Sequence, residues 1–212
     1  MTTTETTTRL SIFPLAGALL FPRMHLPIHI FEPRYRALVS DAMARDRRIG
    51  MIQPKPLLTK GDVEVPQLFD MGCVGKIAHV EAMDDGRYNL VLEGVARFRM
   101  VRELDVTTPF RQIEAVLEEV HDDEPLAGIQ RADLERESRR FAEAQGFVVD
   151  WEAVARLDDE ALVNGIAQIA PFDAAAKQAL LEATNMAMRA DLIVQLMRFF
   201  GRHDGEERVT LQ

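Results

Sequence analysis

The spacing of the apolar residues changes near residue 119, and this change constrains the fold more than any other feature of the sequence. Before it, apolar and polar side chains alternate, most regularly over residues 88–100. An alternation with period two is typical of a strand with one buried face. After it, apolar residues recur at helical spacing, as Leu162, Ile166 and Ile169 do. The sequence therefore predicts a β-rich half followed by an α-helical half.

An acidic segment, residues 118–125, lies at this point of change. It ends in Asp122, two further acidic residues and a proline, and clustered like charge next to a proline disfavours the continuation of a strand. We therefore predict a boundary in this segment. It separates a β domain of residues 9–119 from an α-helical bundle of residues 125–202.

Individual residues predict where helices and turns begin or end in both halves. Pro33, followed by apolar residues at helical spacing, predicts one amphipathic helix within the β domain. An Asp-Asp-Gly sequence that ends at Gly86 predicts a hairpin turn, since glycine takes the positive φ that such a turn requires. In the second half, Gly146 predicts the end of a helix and Asp150 the start of another. The expected fold class is α+β, with four or five helices in the bundle.

Charge and composition limit the partners. The net charge is −9, with 15 basic and 13 acidic residues through Ile113 and 10 basic and 21 acidic residues after it. Binding to phosphate backbones depends on Lys and Arg, so we expect no nucleic-acid partner. We find neither a signal peptide nor an apolar run of about 18 residues, and expect no membrane contact. A single cysteine fits a reducing compartment, so the expected location is cytoplasmic.

Motifs of the common enzyme classes are missing from the sequence. It contains no phosphate-binding loop, no Gly-x-Gly-x-x-Gly and no Gly-x-Ser-x-Gly. Cys73 lies in an apolar segment, which favours a core thiol over a nucleophile. His25 and His29 lie in a proline-broken segment, where extended chain holds residues i and i+4 about 13 Å apart, too far to share a metal. We predict no catalytic, cofactor-binding or metal-binding residue.

Short motifs in the β half resemble the N-terminal domain of Lon proteases. Residues 10–15, 20–22 and 26–35 resemble its opening, residues 85–90 its Asp-Gly-Arg hairpin, and residues 92–99 its Gly-x-x-Arg-Phe strand. The residues that carry the resemblance are Pro14, Phe21, Pro22, Phe31, Glu32, Pro33, Arg34, Tyr35, Gly94, Arg97 and Phe98. The helical half is similar to that of the same proteins, so the resemblance covers almost the whole chain.

The resemblance implies a PUA-like β pseudo-barrel followed by a helical bundle, with a role in recognising polypeptide segments. It implies a stand-alone bacterial module without the ATPase module and the serine and lysine protease module of full-length Lon proteases. The expected function is non-catalytic: an adaptor or regulator in protein quality control that binds unfolded or partner polypeptides. An RNA-binding module of PUA-like fold is the alternative, and an enzyme of unrecognised type ranks third.

Most of the motif residues have a structural explanation. We expect Phe21 and Phe98 to fill the core, and Arg97 to lie on the polar face of its strand, where it pairs with Glu32 or Glu93 or stays solvated. The candidate binding surface is the proline-broken first hairpin. Both faces of its strand carry apolar side chains, so one face can stay uncovered by the core. The candidate polypeptide-binding residues are Leu19, Leu20, Met24 and Leu26.

Overall fold

A computed structural model describes residues 6–56, 66–118 and 124–207. The chain divides into two units, Met1–Glu119 and Val120–Gln212. The predicted boundary at Asp122 falls within residues 119–123, which lie outside the described residues. The first unit is built mainly of strands and the second of helices, so the predicted α+β class is confirmed.

The strands of the first unit form one sheet that closes on itself. In chain order its elements are β1 (Thr7–Pro14), β2 (His25–Ile30), α1 (Pro33–Met43), β3 (Arg48–Pro54), β4 (Leu68–Ala82), β5 (Tyr88–Glu103) and β6 (Gln112–Glu118). The strand order is β2-β5-β4-β3-β1-β6, and β6 also pairs with β5. The β1–β3 pair is parallel and the other pairs are antiparallel. Because β6 joins β1 to β5, five strands make a pseudo-barrel and β2 stays at the edge.

The longest described strand, β5, is the one whose alternation is clearest in the sequence. It pairs with β2 through its first half, with β6 through its second half, and with β4 along most of its length. Phe98 is fully buried in the core of the barrel. The other buried members of this core cluster are Leu10, Ile12, Ile52, Leu68, Val74, Ile113 and Ala115. The prediction of a strand with one buried face is confirmed.

The turn between β4 and β5 has the predicted form. The Met83 N–H donates to the carbonyl oxygen of Arg87 at 2.9 Å, and the Gly86 N–H donates to the carbonyl oxygen of Met83 at 2.9 Å. Gly86 has a φ of +79°. Residues with a side chain rarely adopt this conformation, so glycine is required here and the two longest strands are joined by a tight hairpin.

Helix α1 starts at the predicted proline. Pro33 occupies the first turn, and Glu32 precedes it as the N-cap residue. The ring of Tyr35 meets that of Phe13 edge-on, with 4.1 Å between the ring centroids, and its hydroxyl donates to the carbonyl oxygen of Pro14 at 3.4 Å. Burial raises the pKa of Tyr35, so the hydroxyl keeps its proton and remains a donor. These contacts fix the start of α1 against the end of β1.

In its described part, the second unit consists of α2 (Gly128–Gln145), α3 (Trp151–Ala155), α4 (Asp159–Ile169), α5 (Ala174–Glu182) and α6 (Met186–Glu207). Aspartates cap three of the helices. The carboxylates of Asp150, Asp158 and Asp173 accept backbone N–H groups in the first turns of α3, α4 and α5, at distances of 2.7–3.1 Å. Gly146 ends α2 in the left-handed conformation. The predicted helix end and helix start are both confirmed.

A buried arginine connects three of these helices. Nη1 of Arg189 donates to Oδ1 of Asn164 at 2.8 Å, and Nε donates to the carbonyl oxygen of Leu180 at 3.0 Å. Neither Arg189 nor Asn164 has accessible surface. A buried guanidinium is costly unless it is hydrogen-bonded, so these contacts favour one packing of α4, α5 and α6 over others.

Candidate functional site

The structure separates the four predicted binding residues into two pairs. Leu19 and Leu20 are 6% and 1% exposed, so the expectation that they offer exposed surface is wrong. Met24 and Leu26 are half-buried. The four consecutive residues 19–22 are all buried. The core therefore covers the apolar side chains on both faces of this segment, and neither face is left uncovered.

Gly94 of β5 holds this segment in place. Its carbonyl oxygen accepts the Arg23 N–H at 2.8 Å, and its own N–H donates to the carbonyl oxygen of Met24 at 2.9 Å. A Cβ at Gly94 would overlap the carbonyl oxygen of Phe21. Glycine is therefore required by the close approach of two backbones. Phe21 itself is fully buried, as predicted.

Arg97 is buried, so the expectation that it lies on a solvated polar face is wrong. Its guanidinium lies 3.3 Å from Oε2 of Glu118, the residue opposite it in the β5–β6 pairing. Glu32, one of the two predicted partners, instead pairs with Arg34 at 2.9 Å. A contact between two strands this far apart in the chain leaves no local pattern in the sequence, which is why the pairing was missed.

An apolar cavity of about 280 Å³ lies beside β2. The end of β1, the edge strand β2 and the start of α1 all contribute to it, and we call it the β2 groove. It is lined by residues 13, 15, 18, 26–32 and 35. Of the four predicted binding residues, Leu26 is the one that lines this groove. β1 pairs with β3 and β6 whereas β2 pairs with β5, so the prediction of a first hairpin is wrong. The segment that was predicted to form it contributes to an apolar surface, but through fewer residues than predicted.

Phe31 stands at the rim of the β2 groove with 60% of its surface exposed. Its ring therefore does not fill the core, and the prediction that it is mainly structural stays a prediction. It follows the last residue of β2 and precedes the N-cap of α1, so neither the strand nor the helix buries it. Its ring stacks on that of His29, with 6.2 Å between centroids, and Nδ1 of His29 is 2.8 Å from Oδ1 of Asn89. A large exposed aromatic beside an apolar cavity is typical of a binding surface.

A larger apolar cavity, of about 550 Å³, lies in the second unit. We call it the helical groove. Residues of α2, α3, α4 and α6 line it, chiefly Phe141, residues 146–149, Trp151, Val154, Gly165 and Ile166. The sequence analysis did not single it out, although a signal was present. Phe147, Val148 and Val149 form an apolar run between a helix end and a helix start, where no regular element buries them.

The polar groups that the sequence analysis weighed have local partners or are buried. Cys73 is buried in β4, and the ring of His29 has Asn89 as its partner. No group of three His, Cys, Asp or Glu side chains within residues 6–56, 66–118 and 124–207 is placed to hold a metal ion. Over the same residues, no helix combines the length and apolarity that crossing a bilayer requires. What the two grooves offer a ligand is apolar contact area.

The sequence matches a family model over residues 9–198, that of the ATP-dependent protease La (LON) substrate-binding domain. Lon protease 2 of Myxococcus xanthus is 27% identical over 195 residues, which are 89% of this chain and 23% of that protein. Lon protease 2 of Sorangium cellulosum is 31% identical over 133 residues, which are 58% of this chain and 16% of that protein. The chain thus spans less than a quarter of the length of these relatives.

Two solved structures share the fold. One is a Lon N-terminal domain protein from Xanthomonas campestris, with a TM-score of 0.67 and 21% identity over 89% of this chain and 98% of that one. The other is the N-terminal domain of the Mycobacterium avium complex Lon protease, with a TM-score of 0.67 and 18% identity over 90% of this chain and 98% of that one. The structural likeness establishes the fold. Because the family model covers most of the sequence, the chain belongs to the ATP-dependent protease La (LON) substrate-binding domain family.

Proposed function

We propose that this chain is a non-catalytic module that binds polypeptide segments, and that the β2 groove takes their apolar side chains. The observation that carries the proposal is Phe31, a largely exposed phenylalanine at the rim of an apolar cavity. The family is described by substrate binding, and the relatives that match are named as proteases, whose substrates are polypeptides.

The size of the β2 groove supports side chains as its occupants. Its volume of about 280 Å³ lies below the range of about 300–1,000 Å³ that is usual for small-molecule pockets. Leu26 and Ile28 are half-buried on β2. An apolar side chain placed beside them would remove more of their surface from water, which stabilises a complex by about 25 cal/mol per Å².

The position of β2 supports an extended occupant. Among the described strands, β2 pairs with β5 alone and stands at the end of the strand order. An extended peptide can pair with the backbone of an edge strand, while pockets beside the strand select its side chains. We therefore place an extended segment along β2, with one of its apolar side chains in the β2 groove.

Finer aspects of the function stay predictions. These are the role as an adaptor or regulator in protein quality control, the absence of catalysis and the cytoplasmic location. An adaptor would bind an unfolded polypeptide without changing it. Purified protein should accordingly bind casein without cleaving it and should not hydrolyse ATP; either activity, lost in a point variant of this chain, would overturn the non-catalytic assignment.

The β2 groove can be tested by fluorescence anisotropy with fluorescein-labelled β-casein as an unfolded polypeptide. Phe31→Ala should weaken binding about 5- to 30-fold, since truncation of an aromatic anchor costs about 1–2 kcal/mol of binding free energy. The matched control is Val101→Ala, which also shortens an exposed apolar residue of the first unit but lies outside the groove. It should leave binding unchanged.

Two results would contradict the proposal. If folded Phe31→Ala binds casein as the wild type does, the groove is not the binding surface. If Val101→Ala weakens binding as much as Phe31→Ala does, the protein adheres to casein through general surface hydrophobicity. Far-ultraviolet circular dichroism of each variant shows that a loss of binding is not a loss of structure.

A further inference from the structure

The helical groove is elongated along α4. Ala161, Gly165 and Ile169 line it at intervals of four residues, so they follow one face of the helix. Over eight residues an α-helix rises about 12 Å. Phe141 of α2 and Trp151 of α3 line the same groove. The resulting channel is about as long as two turns of a helix.

The apolar surface continues beyond the cavity. Val148 is fully exposed and Ile169 is 80% exposed, and both line the groove together with the partly exposed Phe147 and Leu157. Single exposed apolar residues are common on protein surfaces, but four around one cavity are not. A small molecule held inside the cavity would leave the outer surfaces of Val148 and Ile169 in water. The patch therefore fits a macromolecular occupant.

The lining of the helical groove decides the conformation of that occupant. Ser138 and Trp151 are the lining residues whose side chains carry a hydrogen-bonding group, and the Ser138 hydroxyl already donates to the sulfur of Met197 at 3.6 Å. An extended peptide in such a channel would find few side-chain partners for its backbone N–H and C=O groups, which costs free energy. An α-helix bonds its own backbone groups internally. The channel therefore fits a helix better than an extended chain.

Two arginines of α2 lie near the helical groove. The guanidinium of Arg139 lies over the ring of Trp151, with 4.6 Å between its central carbon and the ring centroid. Arg140 lines a neighbouring cavity that shares Phe141 with the groove. Neither arginine forms an ion pair with a residue that the structure describes. The two charges are thus available to carboxylates of a partner.

We propose that the helical groove binds an amphipathic α-helix of a partner protein, with apolar residues at i, i+4 and i+7 in the channel and acidic residues beside Arg139 and Arg140. Anchors at this spacing span about 10 Å, which matches the channel along α4. The site is distinct from the β2 groove: it lies in the other unit and takes a folded segment. Its success or failure is therefore independent of casein binding at β2.

The probe is a fluorescein-labelled amphipathic peptide of about 16 residues, with leucines at i, i+3, i+4 and i+7 and glutamates flanking that stripe. Its binding to the full chain is measured by anisotropy. Val148→Asp and Ile169→Asp should each weaken binding by about tenfold or more, because each places a charge on the apolar contact surface. Both residues are exposed, so the substitutions leave the core intact.

Ile129→Asp is the matched control. Ile129 is 76% exposed near the start of α2 and does not line the groove, so the same change there should leave the affinity unchanged. Arg139→Glu should weaken binding of the glutamate-flanked peptide and strengthen binding of a lysine-flanked version. This exchange of preference is not expected from a merely structural role of Arg139.

Three results would overturn the proposal. Binding that survives both Val148→Asp and Ile169→Asp would place the peptide elsewhere. Equal binding of a peptide with a central proline would show that the occupant is not a helix. Displacement of the dye 1-anilinonaphthalene-8-sulfonate by dodecanoate, without any peptide binding, would assign the groove to a lipophilic small molecule. Phe31→Ala should change none of these measurements, which separates this site from the β2 groove.

Discussion

Two phenylalanines of the same sequence motif have opposite environments. Phe21 is fully buried, whereas Phe31 is largely exposed. Both lie next to a proline or a strand end, so their sequence contexts look alike. Tertiary contacts make the difference, because the backbone near Phe21 packs against Gly94 while Phe31 extends past the end of β2. Truncation of Phe21 should therefore lower the stability of the protein, whereas truncation of Phe31 should lower its affinity for polypeptide.

Phe21→Ala should lower the free energy of unfolding by about 3–5 kcal/mol, since it removes a buried ring and leaves a cavity. Phe31→Ala should change it by no more than about 0.5 kcal/mol. Urea unfolding followed by circular dichroism measures both. Similar losses in the two variants would mean that one of these side chains has a different environment from the one described.

A pair of glycines tests the close approach at β5. Gly94→Ala should destabilise the protein by about 1–3 kcal/mol or more, because its Cβ would overlap the carbonyl oxygen of Phe21. Gly128→Ala is the control, since a Cβ there meets no atom within 4 Å. At the start of α2 it should be neutral or stabilise by up to about 1 kcal/mol. A neutral Gly94→Ala would contradict the described packing of the Phe21 segment on β5.

At the scale of elements, charged side chains reinforce the pairing that closes the barrel. Four ion pairs connect β5 or its end with β6 or its start: Arg97 and Arg99 with Glu118, Arg102 with Glu114, and Arg111 with Glu103. The individual strands can be predicted from their alternation. The partners of each charge depend on the register between strands, which no local pattern encodes.

Low pH should weaken the β5–β6 ion pairs that help to close the barrel. Hydrogen bonds from Arg111 lower the pKa of Glu103 below its ordinary value of 4.5, although partial burial opposes the shift. Because the folded-state pKa is the lower one, the pair stabilises the fold above pH 4.5, and the contribution is lost as the pH falls through the lowered pKa. Glu103→Gln should cost up to about 1 kcal/mol at pH 7, in keeping with an exposed pair. Its deficit in urea unfolding should shrink below about pH 4; a constant deficit would contradict this origin.

The elements were easier to predict than the grooves. Alternation, a first-turn proline and the capping Asp150 are local signals, and they placed β5, α1 and the start of α3 correctly. A groove depends on which faces other elements cover. Leu19 and Leu20 have the composition of a binding surface but lie in the core, whereas Val148 is exposed because no element packs on it.

Over the whole molecule, the arrangement of charge opposes binding to nucleic acid more strongly than the net charge of −9 alone does. A phosphate backbone needs Lys and Arg side chains that are not already neutralised. Within the described part of the chain, the arginines within 4.0 Å of a carboxylate include Arg34, Arg45, Arg48, Arg87, Arg97, Arg99, Arg102, Arg111, Arg131, Arg136, Arg156 and Arg198. At each of these, a phosphate would have to displace an internal carboxylate.

The RNA-binding alternative can therefore be tested against polypeptide binding in one preparation. Anisotropy of labelled single-stranded and double-stranded RNA of about 20 nucleotides should show no binding below about 10 μM protein at about 150 mM salt, since the net charge of −9 repels phosphates and many of the arginines already pair with carboxylates. β-Casein binding in the same sample shows that the protein is active. Sub-micromolar RNA binding whose affinity falls steeply with salt would mean that the internal ion pairs open to phosphate, and RNA would then replace polypeptide as the preferred ligand class.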